Sequence, residues 1–137
     1  MARSNTPSQS RRELFALLED VDTVDDFFAR CAENVQWSLF GQHPLAGHYK
    51  SRDEFIPATI GQIRPLLSGG LHFRVRGLYG GDEIAIVEMD GVATAHDGEP
   101  YDPFYVWICW FEGDEIVKVH AYVDSLVVTE ILDRLAS

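Results

Sequence analysis

Cysteine is scarce in this chain of 137 residues, with only Cys31 and Cys109 present. Two thiols do not build a disulfide framework, so a reducing, cytoplasmic setting is expected, with both residues buried and inert: Cys31 in a helical pattern, Cys109 in an apolar strand pattern. Positive charge is scarce too. Eleven Lys and Arg stand against 22 Asp and Glu, a formal charge of −11, which argues against nucleic-acid and anionic-membrane partners. No apolar run approaches the roughly 20 residues that cross a bilayer, and the opening MARSNTPSQSRRELF lacks the apolar centre of a signal peptide. Also missing are a phosphate-binding glycine loop, GxGxxG, GxSxG, CxxC and HExxH. The five histidines, His43, His48, His72, His96 and His120, show no compact ligand spacing, so neither a metal nor a cofactor is expected.

What is present is globular: 46% hydrophobic and 12% aromatic residues in a length that suits one domain. A polar lead over residues 1–10 is expected to precede a single domain over 11–137. Leu14, Phe15, Leu17 and Leu18 recur at helical spacing, and a second helical pattern runs through Val24, Phe27, Phe28, Cys31 and Ala32. Val35 to Phe40 reads as a strand, and 41–47 as a turn-rich loop able to line an opening. Ser51 to Glu54 forms a capping box for a third helix, which Pro57 interrupts or kinks. From Leu71 the period becomes two. Strands are expected over about 71–79, 83–96, 101–111 and 116–127, joined by hairpin turns at Gly80-Gly81-Asp82, Asp97-Gly98 and Glu112-Gly113-Asp114. A short helical turn over 129–135 closes the chain. Helices first and an antiparallel meander after them indicate an α+β fold.

The segment Phe104 to Trp110 is apolar or aromatic on both faces, with Val106, Ile108 and Trp110 on one and Tyr105, Trp107 and Cys109 on the other. Both faces must be covered. Helices cover one, and a homodimer through the sheet is expected to cover the other.

Candidate chemistry lies in carboxylates set among apolar strand residues, where burial raises a carboxyl pKa. Alternation puts Glu88 and Asp90 on the face of Ile84 and Ile86, and groups His120, Tyr122 and Asp124. If both groups point into one cavity, Asp124 with His120 or Glu88 makes a proton-transfer pair. The alternative is that they face solvent, or pair with Arg74 and Arg76. Trp37, Tyr101, Tyr105 and Trp107 are candidates for a pocket lining with indole and hydroxyl donors, and His43 for the pocket mouth.

Several short motifs carry a resemblance: Trp37, His43-Pro44-Leu45-Ala46-Gly47, Glu88, Gly98-x-x-Tyr101-Asp102-x-x-Tyr105 and Ala121-Tyr122-Val123-Asp124. With the element order, they resemble the nuclear transport factor 2-like superfamily, in its SnoaL-like (polyketide cyclase-like) and ketosteroid isomerase-related branch, over about 11–135. The resemblance implies three N-terminal helices packed on a curved, mainly antiparallel sheet that forms a cone with an internal pocket. The catalytic groups of ketosteroid isomerase, a general-base Asp with a Tyr and a protonated Asp, find no match here. Asp90 and Asp124 match the two aspartates of limonene-epoxide hydrolase-like members, but Glu88 stands where those carry an arginine, which inverts the charge. Asp124 also matches the acid-base Asp of polyketide cyclases of this fold. Two functions follow from the resemblance. One is a cofactor-free isomerase, cyclase or dehydratase acting on a small apolar carbonyl compound, with Asp124 as base and His120 and Glu88 as partners. In it, Trp37, His43, Asp90, Tyr101, Tyr105 and Trp107 hold the substrate. The other is a non-catalytic domain that binds a ligand, dimerises or docks a partner.

Overall fold

A computed structural model describes residues 7–136 of the chain. The expected polar lead lies outside the described residues as far as residue 6. From there on it is docked: Pro7 is buried, and the Ser8 amide donates to Asp82 Oδ1 at 2.9 Å.

Helix α1 (Gln9–Ala16) starts two residues before Arg11, because the Ser8 hydroxyl caps it by accepting from the Arg11 amide. A 3₁₀ turn (Leu17–Glu19) and α2 (Val24–Ala29) follow, and together these bury Leu14, Phe15, Leu18, Phe27 and Phe28. The second helix is shorter than its pattern suggested. Cys31 and Ala32, expected within it, open strand β1 (Cys31–Phe40) instead. Cys31 and Ala32, four places beyond Phe27 and Phe28, satisfy either period, and pairing with the last strand decides between them. Short β2 (Gly47–Tyr49) pairs antiparallel to β1. Helix α3 (Arg52–Ala58) starts on Ser51, whose hydroxyl accepts from the Glu54 amide at 3.0 Å. It stops one residue past Pro57, and α4 (Ile60–Ile63) resumes after Thr59. Thr59 is buried at this break, its hydroxyl donating to the Phe55 carbonyl at 2.7 Å.

Strands β3 (Leu67–Gly80), β4 (Ile84–Ala95), β5 (Phe104–Glu112) and β6 (Glu115–Val123) form the expected antiparallel meander. β1 joins β6 in parallel, giving a six-stranded sheet in the order β2-β1-β6-β5-β4-β3. Tyr101 precedes β5 rather than belonging to it. The expected last strand to residue 127 ends at Val123, where Asp124 caps α5 (Ser125–Leu135) by accepting from the Leu126 and Val127 amides. The expected short turn there is an eleven-residue helix. The protein is an α+β fold, with helices packed against the concave face of an open, curved sheet.

Cross-strand registers place the side chains. Facing the helices are the rows Ala85, Cys109, Val119, Trp37 and Val87, Trp107, Ala121, Leu39, all buried. Facing away are three other rows: Ile84, Trp110, Lys118, Gln36; then Ile86, Ile108, His120, Ser38; then Glu88, Val106, Tyr122, Phe40. Both cysteines are buried and free. Burial pushes the Cys31 thiol up to about 12 against the lowering influence of Arg52, and pushes Cys109 well above its ordinary value, so both thiols are inert, as expected.

Candidate functional site: an apolar cavity in the cone

Between the concave sheet and the helices lies a partly open cavity of about 60 Å³. At roughly 10–15 Å³ of such volume per water, it has room for about four to six waters. Its floor is sheet: Trp37 and Leu39 from β1, Phe73 from β3, Tyr105 and Trp107 from β5, and Ala121 and Val123 from β6. Its walls are Phe28 of α2, Phe55, Thr59, Ile60 and Ile63 of the broken α3–α4 pair, and Val128 of α5. The rim carries His43 and Leu45 from the loop after β1. The capped and interrupted third helix is part of this construction, since Pro57 ends α3 where Thr59 and Ile60 turn toward the space.

Aromatic packing sets the cavity's shape. The rings of Trp37 and Phe55 stack 4.2 Å apart at 5°, and Trp107 meets Trp37 edge to face at 5.1 Å. Phe73 abuts Tyr105 and Trp107 at 5.1 and 5.5 Å. Among the described lining residues none is Asp, Glu, Lys or Arg, so the wall is polar only at a few points. Tyr101 and Tyr105 place their hydroxyls 3.2 Å apart. Burial pushes the Tyr101 phenol up to about 12 and Tyr105 well above its ordinary value, so both stay protonated at neutral pH. One hydroxyl uses its proton on the other, which leaves one proton to offer. The third polar point is His43. Its Nδ1 accepts from the Leu45 amide at 3.2 Å, and its buried Nε2 has no partner among the described residues. Burial lowers the imidazole pKa, with the Phe40 carbonyl opposing in smaller measure, so the ring is neutral at neutral pH.

Of the residues expected at the site, Trp37, His43, Tyr101, Tyr105 and Trp107 line this cavity together. The carboxylates and His120 do not join them. The expectation that Glu88, Asp90 and His120 share one cavity with Asp124 is corrected by the face they occupy: Val87, Met89, Val119 and Ala121 are the inward residues of β4 and β6, and their neighbours in alternation point outward. Asp90 is held by Arg74 at 2.9 Å and Arg76 at 2.6 Å, the alternative weighed from the sequence. The Arg74 hydrogen bond, ahead of Arg76, keeps its carboxyl below the usual range. Glu88 sits beside the Tyr79 hydroxyl and raises that phenol's pKa. His120 packs between Phe40 and Trp110, with ring centroids at 5.3 and 4.8 Å, and β5 separates it from Glu88. Asp124 is exposed and serves as the cap of α5. Phe28, Phe55, Thr59 and Ile63 were not singled out from the sequence. The capping box followed by Pro57 was the available signal, since a helix broken near its middle leaves a gap beside it. Among the described residues no cluster of His, Cys, Asp or Glu is suited to a metal ion, and no helix is long and apolar enough to cross a membrane.

No family model matches the chain, and no curated protein is significantly similar to it. Solved structures are. An NTF2-like protein from Burkholderia thailandensis is 18% identical, with 87% of this chain and 96% of that one covered at a TM-score of 0.66. A protein of ketosteroid isomerase-like fold from Catenulispora acidiphila, in complex with trimethylamine, is 11% identical over 91% and 95% at 0.65. TerC, co-crystallised with polyporic acid, is 14% identical over 91% and 96% at 0.67. The helices-first order, the six-stranded curved sheet and these superpositions together give the chain the NTF2-like, ketosteroid isomerase-like fold.

Proposed function

We propose that this protein binds a small, uncharged, largely apolar molecule in the cone. The observation that carries this reading is the cavity itself, apolar on nearly all sides and without a charged group in its wall. Excluding charge from the wall penalises a charged ligand, which would lose its hydration without gaining a counter-ion. An acid/base enzyme with Asp124 as its base would need that carboxylate in the cavity. Asp124 caps α5 outside it, so binding is the better supported reading and the SnoaL-like type of chemistry the less supported one. TerC with polyporic acid and the Catenulispora protein with trimethylamine are cases of this fold holding small organic molecules. The test is titration of labelled protein with cyclopentanone, cyclopentanecarboxylate and cyclopentylamine. The neutral ketone is expected to shift the indole resonances of Trp37 and Trp107, and the charged pair to leave them in place at equal concentration. Preference for either charged compound refutes the reading.

A second reading concerns the other side of the sheet, and a specific surface favours it. Phe40, Ile84, Phe104 and Tyr122 are large, apolar and exposed there, beside Ile86, Val106, Ile108 and Trp110. The chain carries −11, yet this face sets Arg74, Arg76 and Lys118 against Glu88 and Asp90. Two copies thus meet here with little like-charge repulsion, in a homodimer through the sheet. Sedimentation at micromolar concentration is expected to show a dimer that Ile108→Glu dissociates. A monomeric wild type refutes it.

A further inference from the structure

We propose that Ser38 is an activated nucleophile on the outer face of the sheet, a second site independent of the cavity, which takes an acyl group from an activated ester with His48 as its base.

The argument starts from the amide of Gln36. Its Nε2 donates to two backbone carbonyls, Asn34 at 2.9 Å and Lys50 at 3.3 Å. The reversed amide would set its oxygen against both carbonyl oxygens, so the orientation is fixed and Oε1 is the atom that faces His48 Nε2 at 3.1 Å. An amide oxygen only accepts, so His48 Nε2 must carry a proton. In the neutral ring Nδ1 is then the unprotonated nitrogen, and it lies 2.7 Å from Ser38 Oγ. The serine hydroxyl therefore donates to it, in the one side-chain hydrogen bond that Ser38 makes among the described residues. A hydroxyl, a base positioned to take its proton and a third group that fixes the base's tautomer form the arrangement that activates a serine. Gln36 is the positioning residue of the three.

Backbone pairing holds the set together. Ser38 is the antiparallel partner of His48 on β2, and Gln36 stands two residues earlier on the same face of β1, so nucleophile and base ride on paired strands. The Ser38–His48 bond lies at the surface, with His48 exposed and Ser38 half-buried. Toward β6 the flank is aromatic. His120 is the parallel register partner of Ser38 and packs on Phe40 at 5.3 Å, while Phe40 stacks on Tyr122 at 5.0 Å, both of these exposed. These rings give an acyl chain an apolar surface beside the hydroxyl. In the transfer, Oγ bonds to the acyl carbon as its proton moves to His48 Nδ1. The bond from that carbon to the leaving oxygen then breaks. An alkoxide takes the proton from Nδ1 as it leaves; a phenolate leaves as the anion, and the imidazolium gives the proton to water. The acyl group remains on Ser38 as an ester.

Incubation with p-nitrophenyl butyrate, followed by peptide mass spectrometry, tests this. It is run on the wild type and on Ile108→Glu, so that the outer face is read with and without a second copy on it. Butyrylation at Ser38 is expected, and His48→Phe is expected to slow it about a hundredfold or more, as loss of a general base implies. Absence of the label at Ser38 in both proteins overturns the proposal, and so does a His48→Phe rate equal to that of the parent. Long-range ¹⁵N–¹H spectra of the wild type at pH 8 are expected to show the Nε2–H tautomer of His48, and Gln36→Leu to lose that preference. An Nδ1–H tautomer in the wild type overturns the base role without reliance on the folding of any variant.

Discussion

Replacing Arg11 by methionine tests how the helical layer is fastened to the sheet. Arg11 is 6% exposed, yet it carries a charge. Its guanidinium donates to the Asp82 carbonyl at 2.9 and 3.1 Å and to the Gly113 carbonyl at 2.7 Å, tying α1 to the β3–β4 and β5–β6 turns. It also lies 3.9 Å above the Phe111 ring. Hydrogen bonds from a charged donor contribute about 1.5–3 kcal/mol each, and the contact over the ring about 0.5–1 kcal/mol. The ion pair with Asp114 adds little, since the distance is 3.5 Å and that carboxylate is 81% exposed. Methionine keeps the apolar stem and removes the cost of burying a charge, and both freed carbonyls lie in exposed turns where water reaches them. The net expectation for Arg11→Met is a loss of about 2–3 kcal/mol, or roughly 10 °C in Tm for a domain of this size. Urea and thermal melts of the wild type, Arg11→Met and Asp114→Asn measure it. Asp114→Asn is expected to stay within about 0.5 kcal/mol of the wild type. Arg11→Met melting with the wild type, or Asp114→Asn losing as much as Arg11→Met, would refute the assignment of the energy to the two carbonyls.

The capping role of Asp124 predicts that Asp124→Ala costs about 1 kcal/mol in a urea melt while Asp124→Asn costs a few tenths, because asparagine caps as well as aspartate; equal losses would contradict it. Asp90 predicts a pH dependence. Its folded pKa lies below the ordinary 3.8, so its contribution is complete above that value and disappears as pH falls through the folded pKa. The stability gap between the wild type and Asp90→Asn should therefore be widest near pH 7 and close below about pH 3.8. A gap that is constant down to pH 3 would mean the two arginines do not act on the carboxylate. Phe55→Ala, which removes the ring stacked on Trp37, should cost about 3–5 kcal/mol in the same melts; a loss below 1 kcal/mol would show that the cavity wall collapses without penalty.

Much of the fold was legible because its signals are local. Ser51 and Glu54 marked a helix start, Gly80 and Gly113 marked hairpins, and the alternation through Phe104 to Trp110 separated Tyr105, Trp107 and Cys109 from Val106, Ile108 and Trp110 as the structure does. Five cavity residues were legible for a related reason: Trp37, Tyr101, Tyr105, Trp107 and His43 are large or polar side chains in segments that had to border the core. Arg11 was not, since an arginine in a first turn carries no mark of the two carbonyls it will reach at residues 82 and 113.

The sequence by itself determined the α+β order and the alternation, because each depends on near neighbours. Only the tertiary structure decided which side of β4 and β6 is the inside. Both sides of these strands carry apolar residues, so period two sorts Glu88, Asp90 and His120 into a set without saying where the set points. Packing of α1, α2, α3 and α5 on one face settles that, and it sends the acidic groups outward. The cavity is left to two phenols, two indoles and one imidazole.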